Sequence, residues 1–550
     1  MKGLTLRIAC LFGIVLVLLG FGLGKAGLAS AFIDPVSGFR AQDETTYASG
    51  ALGLASHGGW LTPKVLGRYL LVKPPLLIWL AGLSLRLLGE STLALRLPVL
   101  LAGTLATVLL ILWAARARSP WAGALAGLLL LADPLWHMLA RLCYTDMLLA
   151  LALAGASFVL LRDPCLERRR SLLLFALSTA LGIMAKNAAG LLPLLILGVF
   201  CLLAPPGSRP AFARVARAVA LVILFAAPWH LYQGVVHPRW FWTDYVGIQL
   251  LKFGLRPPVQ PTPESAAAFY AQRLFRMDPL LLLLALAAMP MLVRAARRKQ
   301  IEALLLVSWL LVCAAALLAF RYHNLPYLLY LIPPLCLAAA GYAPLAASKR
   351  QRLACAALVG ALCVKAAFPH QVWGLSYGGG APLPAARALD WYAGLGRPNE
   401  LIAVNPDDEF YASVLALPKV RYCYVDPAGV GLRYAPHYVY LGIVIRAEQF
   451  DDLESWQPRF LERLRAWGLD SAEPVGTTIV AASKAEVLHM MTTHPFSDFY
   501  LPAGLRSTVE PLAGSGRRLA APTPGRFFLL GAELPANSFA RARPRPPQSW

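Results

Sequence analysis

Apolar runs near the length of a membrane span recur through the first two thirds of this chain. They lie at roughly 8 to 23, 95 to 114, 121 to 138, 147 to 161, 171 to 185, 189 to 205, 214 to 231, 279 to 293, 302 to 320, 326 to 346 and 353 to 369. A helix needs about 20 apolar residues to cross a hydrocarbon core of about 30 Å, so the runs predict about eleven transmembrane helices. Hydrophobic residues make up 58% of the 550 positions, more apolar surface than one soluble core buries, which excludes an ordinary soluble fold. The first run is read as an uncleaved helix. Ala29-Ser30-Ala31 resembles a signal-cleavage site, but the run is longer than a usual signal core and Lys25 interrupts the approach to that site.

The formal charge of +22 would suggest nucleic acid in a soluble protein. Here the basic residues sit in short clusters between spans, where they orient helices and meet anionic headgroups, and no basic stripe interleaved with aromatics is present. Membrane lipids, not nucleic acid, are the expected partners. The clusters are Arg116/Arg118, Arg162/Arg168/Arg169/Arg170, Arg209/Arg214/Arg217, Arg294/Arg297/Arg298/Lys299 and Lys349/Arg350/Arg352. All of them share the side of Lys2 and Arg7 only if the short apolar stretch 74 to 89, opened by Pro74-Pro75 and carrying Arg86, does not span. It is therefore expected to be an interfacial helix on the outer face. With that parity, the loops 33–93 and 232–278, the turns near Asp146, Lys186 and Arg321, and everything after about 370 are extracytoplasmic.

After about residue 370 the hydropathy falls. Short β-like runs (401–404, 438–441 with 443–444, and 478–480) alternate with helical stretches such as 450 to 467. The expected organisation is a membrane domain over 1–370, a soluble extracytoplasmic α/β domain over 371–533, and a Pro/Arg-rich tail over 534–550. The nine cysteines form no CxxC motif and read as small buried hydrophobes.

Ionisable groups at the mouth of a helix bundle are costly unless paired or hydrated, which makes them functional candidates. On the inferred outer face these are the carboxylates Asp43, Glu44 and Asp146 and the cations Lys73, Arg141, Lys186 and Arg321. His57, His137, His230, His237 and His323 show no HxxH or HxxxH spacing and read as satisfied or solvated side chains. Asn405-Pro406-Asp407-Asp408-Glu409 fits no calcium loop and reads as a turn.

Gln42-Asp43-Glu44-Thr45-Thr46-Tyr47-Ala48, Lys73-Pro74-Pro75, Ala132-Asp133-Pro134 with Arg141 and Asp146, Met184-Ala185-Lys186, and Leu325-Pro326-Tyr327-Leu328-Leu329 follow one another in this order. With them the chain resembles the GT-C membrane glycosyltransferases, in particular bacterial protein O-mannosyltransferases and lipid A aminoarabinose transferases. The resemblance covers about residues 5 to 370. It implies a GT-C bundle that moves a sugar from a polyprenyl-phosphate donor to lipid A, a protein or a glycan at the outer face of the inner membrane, with inversion. It also implies roles: Asp43 as base or acceptor-orienting group, with Glu44 and Asp146 beside it as catalytic carboxylates, and Lys73, Arg141, Lys186, Tyr327 and Arg321 on the donor phosphate.

The chain departs from the aminoarabinose transferases at Thr46, where they typically carry Arg, at Val72, where they carry Glu, and at Gly247, where they carry His. The last two are the family's candidate metal ligands, so no bound metal and no cofactor is expected. A lipid or saccharide transporter is the competing class, but it should show duplicated halves, and no internal repeat is visible. A catalytically silent scaffold for an envelope complex is the third reading.

Overall fold

The computed structural model describes residues 42–343 apart from 66–67, 70–72, 90, 239–240, 243–244, 247–249, 251–263 and 321–322. Beyond these it describes 362, 388, 391–397, 399–404, 420–425, 439–440, 443–444, 478–481, 484–514, 516–523 and 525–532. The first and last predicted spans, 8 to 23 and 353 to 369, lie outside the described residues apart from Leu362.

Helices dominate the first part of the chain: α1 (Gln42–His57), α2 (Leu76–Leu88), α3 (Thr92–Ala117), α4 (Pro120–Ala132), α5 (Pro134–Leu139), α6 (Thr145–Arg162) and α7 (Arg169–Lys186). They are followed by α8 (Leu192–Leu203), α9 (Phe212–Val236), α10 (Ala266–Met277), α11 (Pro279–Arg297), α12 (Ile301–Ala319) and α13 (Ile332–Tyr342). Among the described residues 7 helical segments are long and apolar enough to cross a membrane, so the protein is a multi-pass membrane protein. Helix α2 has 13 residues, a rise of about 20 Å, too short to cross.

The predicted run 121 to 138 is corrected. It is two helices broken at Asp133, whose extended backbone ends α4 and whose Oδ1 accepts the Trp136 N–H at 2.7 Å to start α5. Asp-Pro is a start signal, because carboxylate and proline both suit a helix N-terminus. The same chemistry starts α11, where Asp278 Oδ1 accepts the Leu281 N–H at 3.0 Å before Pro279, and α4, where Ser119 accepts from Ala122 at 3.2 Å before Pro120.

Helices α6 and α7 pack as an antiparallel pair around Ala152, Leu149 and Gly182. The chain doubles back after α7. Asn187 takes φ 45°, and the backbone of Gly190 rests directly on Gly182 and Ile183, where a Cβ would have no room. At the far end, basic side chains from the loops satisfy helix-terminal carbonyls. Arg118 Nε donates to Gly341 O at 2.9 Å, Lys299 Nζ to Leu203 O at 3.1 Å and Arg209 Nη1 to Cys201 O at 2.9 Å. These carbonyls have no partner within their own helices, and the cations complement the negative helix ends.

The loop after α1 carries a small hairpin, β1 (Lys64–Val65) and β2 (Arg68–Tyr69), and is pinned just before it. Trp229 Nε1 and Gln233 Nε2, both from α9, donate to Leu61 O at 2.8 and 2.6 Å, while Trp79 of α2 donates to Trp60 O at 2.5 Å.

Strands follow in the C-terminal part: β3 (Leu401–Val404), β4 (Val420–Val425), β5 (Val439–Tyr440), β6 (Ile443–Val444), β7 (Thr478–Ala481), β8 (Asp498–Pro502), β9 (Arg518–Thr523) and β10 (Arg526–Leu530). Six of them form one mixed sheet in the order β7-β4-β3-β8-β10-β9, parallel across β7, β4, β3 and β8 and antiparallel beyond. Helix α14 (Lys484–Thr493) covers it with Val487 and Met491, against Ile402, Phe499 and Phe527.

Asp498 is fully buried at the start of β8. It accepts from Tyr392 Oη (2.6 Å), Arg397 Nε (2.9 Å), Asn399 Nδ2 (3.1 Å) and Gly531 N (2.6 Å). Burial, reinforced by this carboxylate, pushes the Tyr392 phenol well above its usual range. Asp498→Ala is expected to lower the stability of the sheet by about 3–5 kcal/mol, because it takes the carboxylate from the partly buried Arg397 guanidinium and the acceptor from the buried Gly531 N–H and Asn399 amide. Protease susceptibility of the full chain measures this, with new cleavage confined to residues after 390 as the expected result.

Candidate active site

Asp146 lies in the first turn of α6 and Lys186 is the last residue of α7, so antiparallel packing brings them to the same end of the pair. Both are buried, and Lys186 Nζ stands 2.5 Å from Asp146 Oδ1. The Tyr330 hydroxyl donates to the same oxygen at 2.6 Å from the 3₁₀ segment Leu325–Tyr330 that leads into α13. The Lys186 ammonium also sits 4.8 Å from the Tyr327 ring centroid and 5.4 Å from that of Tyr330, within cation–π range. Here a carboxylate, an ammonium and two phenols meet in a largely desolvated setting, where charges act more strongly than in water.

The first acidic motif is tied to the second through Glu44. Its carboxylate is fully buried and grips Arg96 of α3 with both oxygens, at 2.8 Å from Nε and 3.0 Å from Nη2. Glu44 Oε1 also accepts the Cys143 N–H at 2.9 Å, three residues before Asp146. One turn along α1, the Tyr47 ring meets Tyr144 edge-on, centroids 6.3 Å apart. Burial, with the Glu44 carboxylate adding to it, pushes the Cys143 thiol up, so this cysteine is a packed hydrophobe and not a nucleophile.

With Arg96 on both oxygens and a backbone N–H on one, Glu44, expected from sequence as a catalytic carboxylate, holds α1, α3 and the turn before α6 together. Asp43 precedes it in the same first turn of α1, and its side chain lies outside the described atoms.

The remaining expected cations are distributed as follows. Arg141 is half-buried in the turn between α5 and α6, with Nη1 3.2 Å from His137 Nε2. Lys73 is half-buried just before α2, whose Leu76 and Trp79 pack against the cluster that includes Met184, two residues from Lys186. Arg321 lies outside the described residues, as do Val72 and Gly247. Among the described residues, no three His, Cys, Asp or Glu side chains gather as a metal would require.

Three contributors escape sequence reasoning. Arg96 hides in the apolar run that opens α3, Tyr330 looks like one more interfacial aromatic beside Tyr327, and His137 reads as a satisfied histidine. An arginine inside an apolar span is itself a signal that a carboxylate faces it.

The fold is that of a GT-C membrane bundle. Residues 72–232 match the family model described as dolichyl-phosphate-mannose-protein mannosyltransferase. The chain is 27% identical over 219 residues to the undecaprenyl phosphate-alpha-4-amino-4-deoxy-L-arabinose arabinosyl transferase of Aeromonas salmonicida, covering 37% of this chain and 39% of that one. It is 26% identical over 220 residues to the transferase of the same name from Pectobacterium carotovorum, covering 37% and 38%. The match thus spans about two fifths of the length of these curated relatives.

Two solved structures of ArnT from Cupriavidus metallidurans align over 94% of this chain and 97% of theirs at 16% identity. The TM-score is 0.65 for the apo state and 0.66 for the state bound to undecaprenyl phosphate. The chain therefore has the GT-C fold of that transferase, with a C-terminal sheet.

Proposed function

We propose that this protein is an inverting membrane glycosyltransferase that moves a sugar from a polyprenyl-phosphate donor to an envelope acceptor at the outer face of the inner membrane. The observation that carries the reading is the buried Asp146–Lys186–Tyr330 cluster, held against the first acidic motif by Glu44. The curated relatives are named for an undecaprenyl-phosphate-linked sugar, which supports a donor of that class.

In the reaction, the acceptor oxygen forms a bond to the anomeric carbon from the face opposite the phosphate, and the carbon–oxygen bond to the phosphate breaks. The bonding pair leaves on the polyprenyl phosphate. When the acceptor is a hydroxyl, Asp43 takes its proton. Negative charge grows on the departing phosphate, so Lys186, Arg141, Lys73 and Arg321 stabilise the transition state more than the ground state. Asp146 and Tyr330 hold the Lys186 ammonium in place between the phenol rings, and Tyr327 completes the phosphate side. The acceptor is lipid A, a protein or a glycan.

The direct test incubates purified protein with a radiolabelled polyprenyl-phosphate sugar. Release of the polyprenyl phosphate with transfer of label to an envelope acceptor is expected, and transport of intact donor without bond cleavage would favour the flippase alternative.

The orientation draws on the helix pair. Helices α6 and α7 carry Asp146 and Lys186 at one end and Arg162 and Arg169 at the other. Each has 18 residues, about 27 Å of rise, so the pair nearly crosses the hydrocarbon core. Cytoplasmic loops concentrate basic residues, which supports an extracytoplasmic site. Pro120→Cys is therefore expected to react with a membrane-impermeant maleimide only after the membrane is opened. Cys143 stays silent in both states because its thiol is buried and its pKa raised. Labelling of residue 120 in intact cells would invert the topology.

A further inference from the structure

We propose that His137 is a positioning residue that aims the Arg141 guanidinium at the phosphate of a lipid-linked ligand. The inference rests on the glycosyltransferase reading above and adds a residue to it. Helix α5, the short helix that carries His137, has all six of its residues buried. It is held at its start by the Asp133 carboxylate on the Trp136 N–H (2.7 Å) and along its side by Trp136 Nε1 on Thr107 Oγ1 of α3 (3.1 Å). His137, 1% exposed, therefore has a fixed backbone and no room to swing.

One turn further on, the half-buried Arg141 lies in the otherwise buried turn before α6 and places Nη1 3.2 Å from His137 Nε2. A guanidinium carries donors only, so the imidazole nitrogen must be the acceptor. This assigns the tautomer: His137 is neutral at this contact, with its proton on Nδ1. A neutral imidazole fixes the direction of the Arg141 fork through this hydrogen bond. A planar fork held in one orientation loses little freedom when it engages a phosphate.

The test uses the full-length protein in nanodiscs and two probes, undecaprenyl phosphate and the uncharged polyprenol of equal length. His137→Leu is expected to weaken binding of the phosphate lipid about tenfold, the scale of a lost hydrogen bond to a charged group, and to leave the polyprenol unaffected. His137→Gln, which retains an acceptor, should bind the phosphate lipid close to wild type. Arg141→Ala should weaken the phosphate lipid, and adding His137→Leu to it should change nothing further, because the histidine acts only through the arginine.

Unaltered phosphate-lipid affinity in His137→Leu overturns the inference. So does equal loss of both lipids, or additivity in the double variant. A wild-type protein that binds no phosphate lipid removes the glycosyltransferase reading itself, and this inference with it.

Discussion

Asp43→Asn is expected to lower sugar transfer by about 10²- to 10⁴-fold, the range general base catalysis supplies, while undecaprenyl phosphate binds as before. Asparagine keeps the size of the side chain and an oxygen that can orient an acceptor, but it does not take a proton at neutral pH. Position supports the assignment. Asp43 shares the first turn of α1 with Glu44, whose carboxylate is immobilised on Arg96 and the Cys143 N–H. The backbone that presents Asp43 is thereby fixed relative to Asp146.

Asp146 is less suited to the same work, because its Oδ1 is already engaged by the Lys186 ammonium and the Tyr330 hydroxyl. The diagnostic pattern in steady-state kinetics is a fall in kcat with KM for the donor nearly constant, since Asp43 is assigned no contact with the phosphate. An Asn variant with full turnover on a hydroxyl acceptor would sink the assignment.

The membrane character of the chain was legible because apolar length is a local property. An apolar run near the length of a span needs no tertiary knowledge to be recognised, and α6, α7 and α12 fall where their runs lie. For the 13-residue α2, length and a Pro-Pro start marked a short apolar stretch, and the expectation that it does not span came from the charge parity of the loops. The break at Asp133 was not legible, because a single capped turn inside an apolar stretch hardly alters the hydropathy.

At the site, Asp146 and Lys186 could be singled out individually, but their contact spans 40 residues and follows from how α6 and α7 cross. The role of Glu44 depends on Arg96, 52 residues away, and on a backbone N–H at Cys143, 99 residues away. A backbone donor carries no side-chain signature in a sequence. In the C-terminal part, β3 and β7 stood out as β-branched runs, whereas β8, β9 and β10 are defined mainly by their mutual pairing and by the Asp498 hub.

The Glu44–Arg96 pair sets up the second large effect. Arg96→Met should leave the Glu44 carboxylate, fully enclosed, with only the Cys143 N–H, and Glu44→Leu should take the carboxylate from the buried Arg96 guanidinium. Removing one partner of a buried pair costs about 3–5 kcal/mol, because the remaining charge is desolvated and uncompensated. The double variant removes both charges, so much of that loss should return, less about 1–3 kcal/mol for the Cys143 N–H that then lacks its acceptor.

Stability and activity should therefore separate. Thermal unfolding in detergent would place the double variant above either single variant, while sugar transfer stays low in all three, because one carboxylate no longer holds α1, α3 and the turn before α6 together. A double variant no more stable than the singles would mean that the two charges are not coupled. A double variant with wild-type turnover would mean that the pair secures the bundle without positioning Asp43 against Asp146.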